Sequence, residues 1–155
     1  MKRTLTALLT TAVFAVVVML APNTKQGTTS LPIVHAQSGC SVATLTGNYG
    51  VRWQGFDILK GTAHEVPWAG VGVLTFDGAG TVSFSWTQSL DGKISTGLSG
   101  AGNYSVNSDC TGSVSFTSGD AAEETANVVI VGGGEEVLSV STLNTQTIML
   151  DAKKQ

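Results

Sequence analysis

Charge is scarce in this sequence: 12% of its 155 residues are charged, and 8 Lys and Arg stand against 11 Asp and Glu. So little charge excludes a solvated disordered tail and a coiled coil, and without a basic excess there is nothing to hold a phosphate backbone. Histidine is scarcer still. The 2 in the chain are His35 and His64, and only the second lies beyond the leader argued below, so a two-His metal site within one mature chain is excluded. Also missing is any window of ten or more residues after position 36 with a capped, helical apolar stripe. The length allows one domain at most.

Apolar residues are present in one concentrated run. Lys2 and Arg3 precede Leu5 to Ala21, and a polar stretch then reaches Val34-His35-Ala36, with small residues where a signal peptidase needs them. This reads as a signal peptide over residues 1–36, followed by a domain over residues 37–155 in a secreted protein, extracellular or periplasmic. Retention as an anchor is the competing reading, because the run just reaches bilayer-spanning length. Cleavage leaves five basic residues against eleven acidic ones, a net charge of −6. Both cysteines, Cys40 and Cys110, fall in the exported part. An even count in an oxidising compartment points to one disulfide; a metal or redox pair would want further ligands or C-x-x-C spacing.

From Gly47 onward the dominant period is two, as in strands with one buried face. Val82, Phe84 and Trp86 alternate with Thr81, Ser83, Ser85 and Thr87. Glycine-bearing turns at Asp77-Gly78-Ala79-Gly80, Asp91-Gly92 and Gly132-Gly133-Gly134 separate the runs. The strands expected are Gly47–Phe56, a run around Val71–Phe76, Thr81–Thr87, Ile94–Val106 broken or bulged by Gly97, Gly100 and Gly102, Gly112–Thr117, Ala126–Val131, Glu136–Thr142 and Gln146–Ala152. Asp57 to Val66 could hold a short turn of helix. Eight strands joined by short turns predict an all-β fold, a single antiparallel up-and-down barrel, with a β-sandwich as the alternative. Closure removes both edges.

Several segments carry a resemblance. Cys40-Ser41-Val42-Ala43-Thr44-Leu45-Thr46-Gly47-Asn48-Tyr49-Gly50, Gly72-Val73-Leu74-Thr75-Phe76-Asp77-Gly78-Ala79-Gly80, Tyr104-Ser105-Val106 with Asp109-Cys110-Thr111-Gly112, and the closing Ala152-Lys153-Lys154-Gln155 resemble a group of secreted, uncharacterised bacterial proteins. Their barrel is similar to calycin and allene oxide cyclase-like barrels. The shared features are turn glycines, a cysteine pair and an aromatic near the first strand, so they imply fold and not chemistry. In lipocalin-type calycins a Gly-x-Trp closes one end and a basic residue packs over the ring. The resemblance implies those parts for Gly47-Asn48-Tyr49 and for Lys153 or Lys154, with Tyr in place of Trp and Lys in place of Arg.

Motifs for chemistry are few. The Gly132–Gly134 run lacks a following Lys-Ser/Thr, Gly97 to Gly102 is spaced as a bulged strand, and Asp120, Glu123 and Glu124 lack a calcium-loop pattern. His64 beside Glu65 is a loop pair before it is a general base. Arg52 is the most informative charge. Parity sets Tyr49, Val51 and Trp53 on one face and Arg52, Gln54 and Phe56 on the other. Either Arg52 is an outer, solvated residue, or the barrel is inverted here and Arg52 and Gln54 enter a cavity beside Trp53, Trp86 and Tyr104. These five are the candidate ligand-binding residues. No catalytic residue, metal site or cofactor is implied. The partner expected is a small apolar or amphipathic molecule, with no nucleic acid and no membrane insertion after leader removal; no oligomeric state follows. A filled structural barrel is the alternative. A cyclase- or isomerase-like enzyme ranks last, and would need Arg52, Gln54, Tyr104 and Glu135 or Glu136 to converge at one mouth.

Overall fold

The structure, a computed structural model, describes residues 39–59 and 63–155. The expected leader and its cleavage site lie outside the described residues. Eight strands follow one another: β1 (Thr46–Ile58), β2 (Glu65–Asp77), β3 (Thr81–Leu90), β4 (Lys93–Val106), β5 (Thr111–Gly119), β6 (Thr125–Val131), β7 (Glu136–Ser141) and β8 (Gln146–Lys154). Each pairs antiparallel with its neighbour in sequence, and β8 pairs with β1, so the sheet closes into an up-and-down barrel.

The turns follow from their residues. Asp91 (φ 51°) and Gly92 (φ 75°) both take positive φ in a two-residue link, the geometry that matches the right-handed twist of β3 and β4. At the other end, Asp77 Oδ1 accepts the backbone N–H groups of Ala79 and Thr81, each at 2.8 Å. β4 is continuous but bulged at Thr96 and Gly97, which together face Thr87 of β3 between the Trp86–Leu98 and Gln88–Ser95 pairs. Of the segment from Asp57 to Val66 where a turn of helix is expected, Asp57 and Ile58 belong to β1 and pair with Val66 and Glu65 of β2, so the ladder takes their backbone groups, and residues 60–62 lie outside the described residues. The helical turn among the described residues lies instead at Val42–Thr44, ahead of β1.

That turn closes one end of the barrel. Leu45 is fully buried behind it, and the Tyr104 hydroxyl lies 2.9 Å from the Val42 carbonyl and 3.0 Å from that of Leu45. Tyr49, also fully buried, donates its hydroxyl to the Gly134 carbonyl at 2.5 Å. Phe76 stands edge-on to both phenol rings, at 5.2 Å from Tyr49 and 5.0 Å from Tyr104. Burial pushes both phenols above the ordinary tyrosine range, with the charge of Glu135 adding to it at Tyr49. The Cys40–Cys110 disulfide fastens the incoming chain to the β4–β5 turn. Lys153 does not lie over the Tyr49 ring; it is exposed on the outside of β8 and pairs with Glu136 at 3.5 Å.

Candidate functional site

Antiparallel order sends the β1–β2, β3–β4, β5–β6 and β7–β8 links to the end opposite this plug. There the barrel opens into a cavity of about 380 Å³. One wall is aromatic. Trp53 of β1, Trp68 of β2 and Phe84 and Trp86 of β3 line it, joined by Phe116 of β5. Phe84 stacks on Trp86 (centroids 4.5 Å apart, planes at 18°) and meets Trp53 at a steep angle (5.5 Å, 67°).

Space for these rings comes from two inward glycines on β2. A Cβ on Gly70 would lie 2.2 Å from Trp53 Cζ2 and 2.7 Å from the Thr87 carbonyl oxygen, and one on Gly72 would lie 2.7 Å from Trp86 Cβ. Any side chain at either position drives the rings off their seats. Gln88, opposite Gly70 in register, ties the wall together: its Oε1 accepts both the Trp68 indole N–H (3.1 Å) and the Trp86 indole N–H (2.9 Å).

The facing wall carries smaller and more polar residues beside Ile148 and Leu150 of β8. Ala126 of β6, Ser139 and Ser141 of β7 and Gln146 of β8 line the cavity there. On β7 the usual polarity is reversed, since Leu138 (44% exposed) and Val140 (46% exposed) point out to solvent while the two serines point in. Two carboxylates complete the lining, Asp120 and Glu124 of the β5–β6 link. Gln146 Nε2 donates to Glu124 Oε2 at 2.8 Å, and the Ser99 backbone N–H donates to Asp120 Oδ2 at 2.9 Å. Glu124 is pushed above the usual carboxylate range, chiefly by burial; the Gln146 bond works against this and the charge of Asp57 adds to it.

The five residues singled out in the sequence part company here. Trp53 and Trp86 line the cavity. Arg52 and Gln54 do not enter it, which corrects the inverted reading: Tyr49, Val51 and Trp53 are buried inward, so strand parity turns Arg52 and Gln54 outward. Arg52 is 78% exposed and pairs with Asp151 of β8 at 3.3 Å, beside an open groove on the outer face of β1–β3. Tyr104 faces inward but at the closed end, because β4 runs from the open mouth toward the plug. Glu135 and Glu136 also sit at the closed end, so the set required for an enzyme mouth does not converge. Among the described residues, no three His, Cys, Asp or Glu side chains come together in a way that could hold a metal ion. The residues missed in the sequence are Gln88, Glu124, Ser139, Ser141 and Gln146, whose polarity disguises their inward direction. The chain matches no family model, no curated protein and no solved structure, so the chemistry of the cavity has to be read from its own residues.

Proposed function

We propose that this is a secreted binding barrel whose open end holds one small apolar or amphipathic molecule. The observation that carries the reading is the reversed polarity of β7. A barrel filled by its own side chains gains by turning Leu138 and Val140 inward, whereas here serines face the interior and leave a space that three tryptophans line. That space supports a binder over a filled, structural barrel. An eight-stranded barrel has room for one such ligand. The disulfide is compatible with export to an oxidising compartment, and we read the barrel as calycin-like, in the manner of allene oxide cyclase-like barrels, on architecture alone.

The test is native mass spectrometry on the protein from its host's secreted fraction, paired with a titration of the purified chain by the neutral dye N-phenyl-1-naphthylamine. A small bound mass that is lost on unfolding, together with saturable dye binding that Ser139→Phe abolishes, is the expected result. A bare mass with no saturable dye binding overturns the reading in favour of the structural barrel.

A further inference from the structure

Among the described residues, the lining of the cavity has one sign of charge. Of the four Lys and Arg among the described residues, Arg52, Lys93, Lys153 and Lys154, none lines it, while Asp120 and Glu124 both do. Two of the three indole donors in the lining are also spent. Gln88 Oε1 takes the N–H of both Trp68 and Trp86, so these rings offer the cavity π surface rather than hydrogen-bond donors. Glu124 engages one carboxylate oxygen with Gln146, and its Oε1 has no hydrogen-bond partner among the described residues. An anionic head group would meet two carboxylates and, among the described residues, no cation. A positive one would find carboxylate acceptors and the negative faces of aromatic rings in a site partly shielded from water.

Resting on the binding reading above, we infer that the ligand is an organic ammonium: a flat apolar body seated against the indoles, with its cationic nitrogen directed to Glu124 and Asp120. The half-buried Glu124 carboxylate is stabilised when that nitrogen arrives, because a charge removed from water needs a partner of opposite sign. Asp57, opposite Gln146 in the β1–β8 register, adds to the negative potential at the same side of the mouth. The hydroxyls of Ser139 and Ser141 remain for polar substituents on the body.

Three probes of one shape separate the possibilities: 1-naphthylmethylamine, 1-naphthylmethanol and 1-naphthoic acid, titrated calorimetrically into the wild-type protein at pH 7.5 and low salt. The expected order is amine over alcohol over acid, with the amine favoured over the alcohol by about tenfold. In Glu124→Gln the amine-to-alcohol ratio falls at least about threefold, as it does on raising salt. Equal binding of amine and alcohol, or a preference for the acid, overturns the head-group assignment while leaving the binding barrel standing. Failure of all three, together with failure of the neutral dye, overturns the binding barrel itself. The wild-type comparison decides the matter even where the variant does not fold.

Discussion

Removing the Cys40–Cys110 bridge tests how the closed end is held. The two residues are 70 apart in sequence, and in the chain-entropy model a cross-link closing a loop of that size destabilises the unfolded chain by about 4 kcal/mol. For a domain of this size, where about 1 kcal/mol moves Tm by ~4 °C, the double variant Cys40→Ala/Cys110→Ala is expected to melt about 15 °C lower. Its urea midpoint should fall by about 3 M, and its m-value should rise because the unlinked chain exposes more surface. If instead the bridge acts mainly in the folded state, the loss will appear locally. The segment from Gly39 to Leu45, which otherwise relies on Cys40 N–H donating to the Ser108 carbonyl (3.2 Å) and on Tyr104, would come away from the plug. Hydrogen exchange separates the two. Under the entropic account the amides of Leu45 and Tyr104, which donate to the Val42 and Gly80 carbonyls, keep exchanging only through global unfolding. A loss below about 1 kcal/mol with an unchanged m-value would refute the reasoning.

The remaining predictions concern the two ends of the barrel. Tyr49→Phe leaves the Gly134 carbonyl, on a buried residue, without its donor, and should cost about 1–2 kcal/mol in urea unfolding; a cost near zero would mean that water replaces the bond. Asp77 and Asp109 are both held below the ordinary carboxylate range, mainly by backbone N–H groups of the β2–β3 turn and by Thr111 respectively. Because folding lowers these pKa values, the stability they bring is present above the unfolded carboxylate range and lost as pH falls through the folded value, so an Asp77→Asn/Asp109→Asn variant should show a flatter decline of Tm on acidification than the parent. Glu124 runs the other way: folding raises its pKa, so it favours the folded state below the unfolded carboxylate range and opposes it once ionised. Glu124→Gln should therefore raise the ligand-free Tm at pH 7.5, and a fall would show that the Gln146 bond outweighs the cost of burial. Ser139→Phe should fill the cavity and abolish dye binding while shifting Tm by less than about 5 °C, because it occupies existing space.

What the sequence could and could not disclose turns on parity and on strand direction. Val82, Phe84 and Trp86 fix β3 because every inward residue is large and every outward one carries a hydroxyl. β2 was legible only from Val71, although it begins at Glu65, because Gly70 and Gly72 occupy inward positions and erase the alternation, and Pro67 interrupts a run that its pairing with Phe56 nonetheless completes. The same two glycines seat Trp53 and the Phe84–Trp86 pair. Parity also set Trp53 apart from Arg52 and Gln54, but which of the two faces is the inner one follows only from the burial of Tyr49, Val51 and Trp53 in the closed sheet. Parity says nothing about height along the barrel, and for this reason Tyr104 could be grouped with Trp86. β3 runs toward the open end and β4 away from it, so these two inward aromatics finish at opposite ends.

β7 was harder still. In Glu136-Val137-Leu138-Ser139-Val140-Ser141 apolar residues fall on both parities, and the larger number fall on the face that the closed sheet turns outward. Only pairing decides it: Val137 lies opposite Ala152 and Ile130, all three buried, and that register carries Ser139 and Ser141 inward with it. Near the plug β7 thus obeys the burial rule, and two residues further toward the mouth it breaks it. A departure from local consistency confined to the cavity end of one strand is where a site is expected, since packing alone gives no reason to put hydroxyls inside and leave Leu138 and Val140 in water. The serines, glycines and Gln88 that make the cavity are the residues whose sequence pattern reads least like a core. The polar side of the cavity escaped the sequence for the same reason that it exists in the fold.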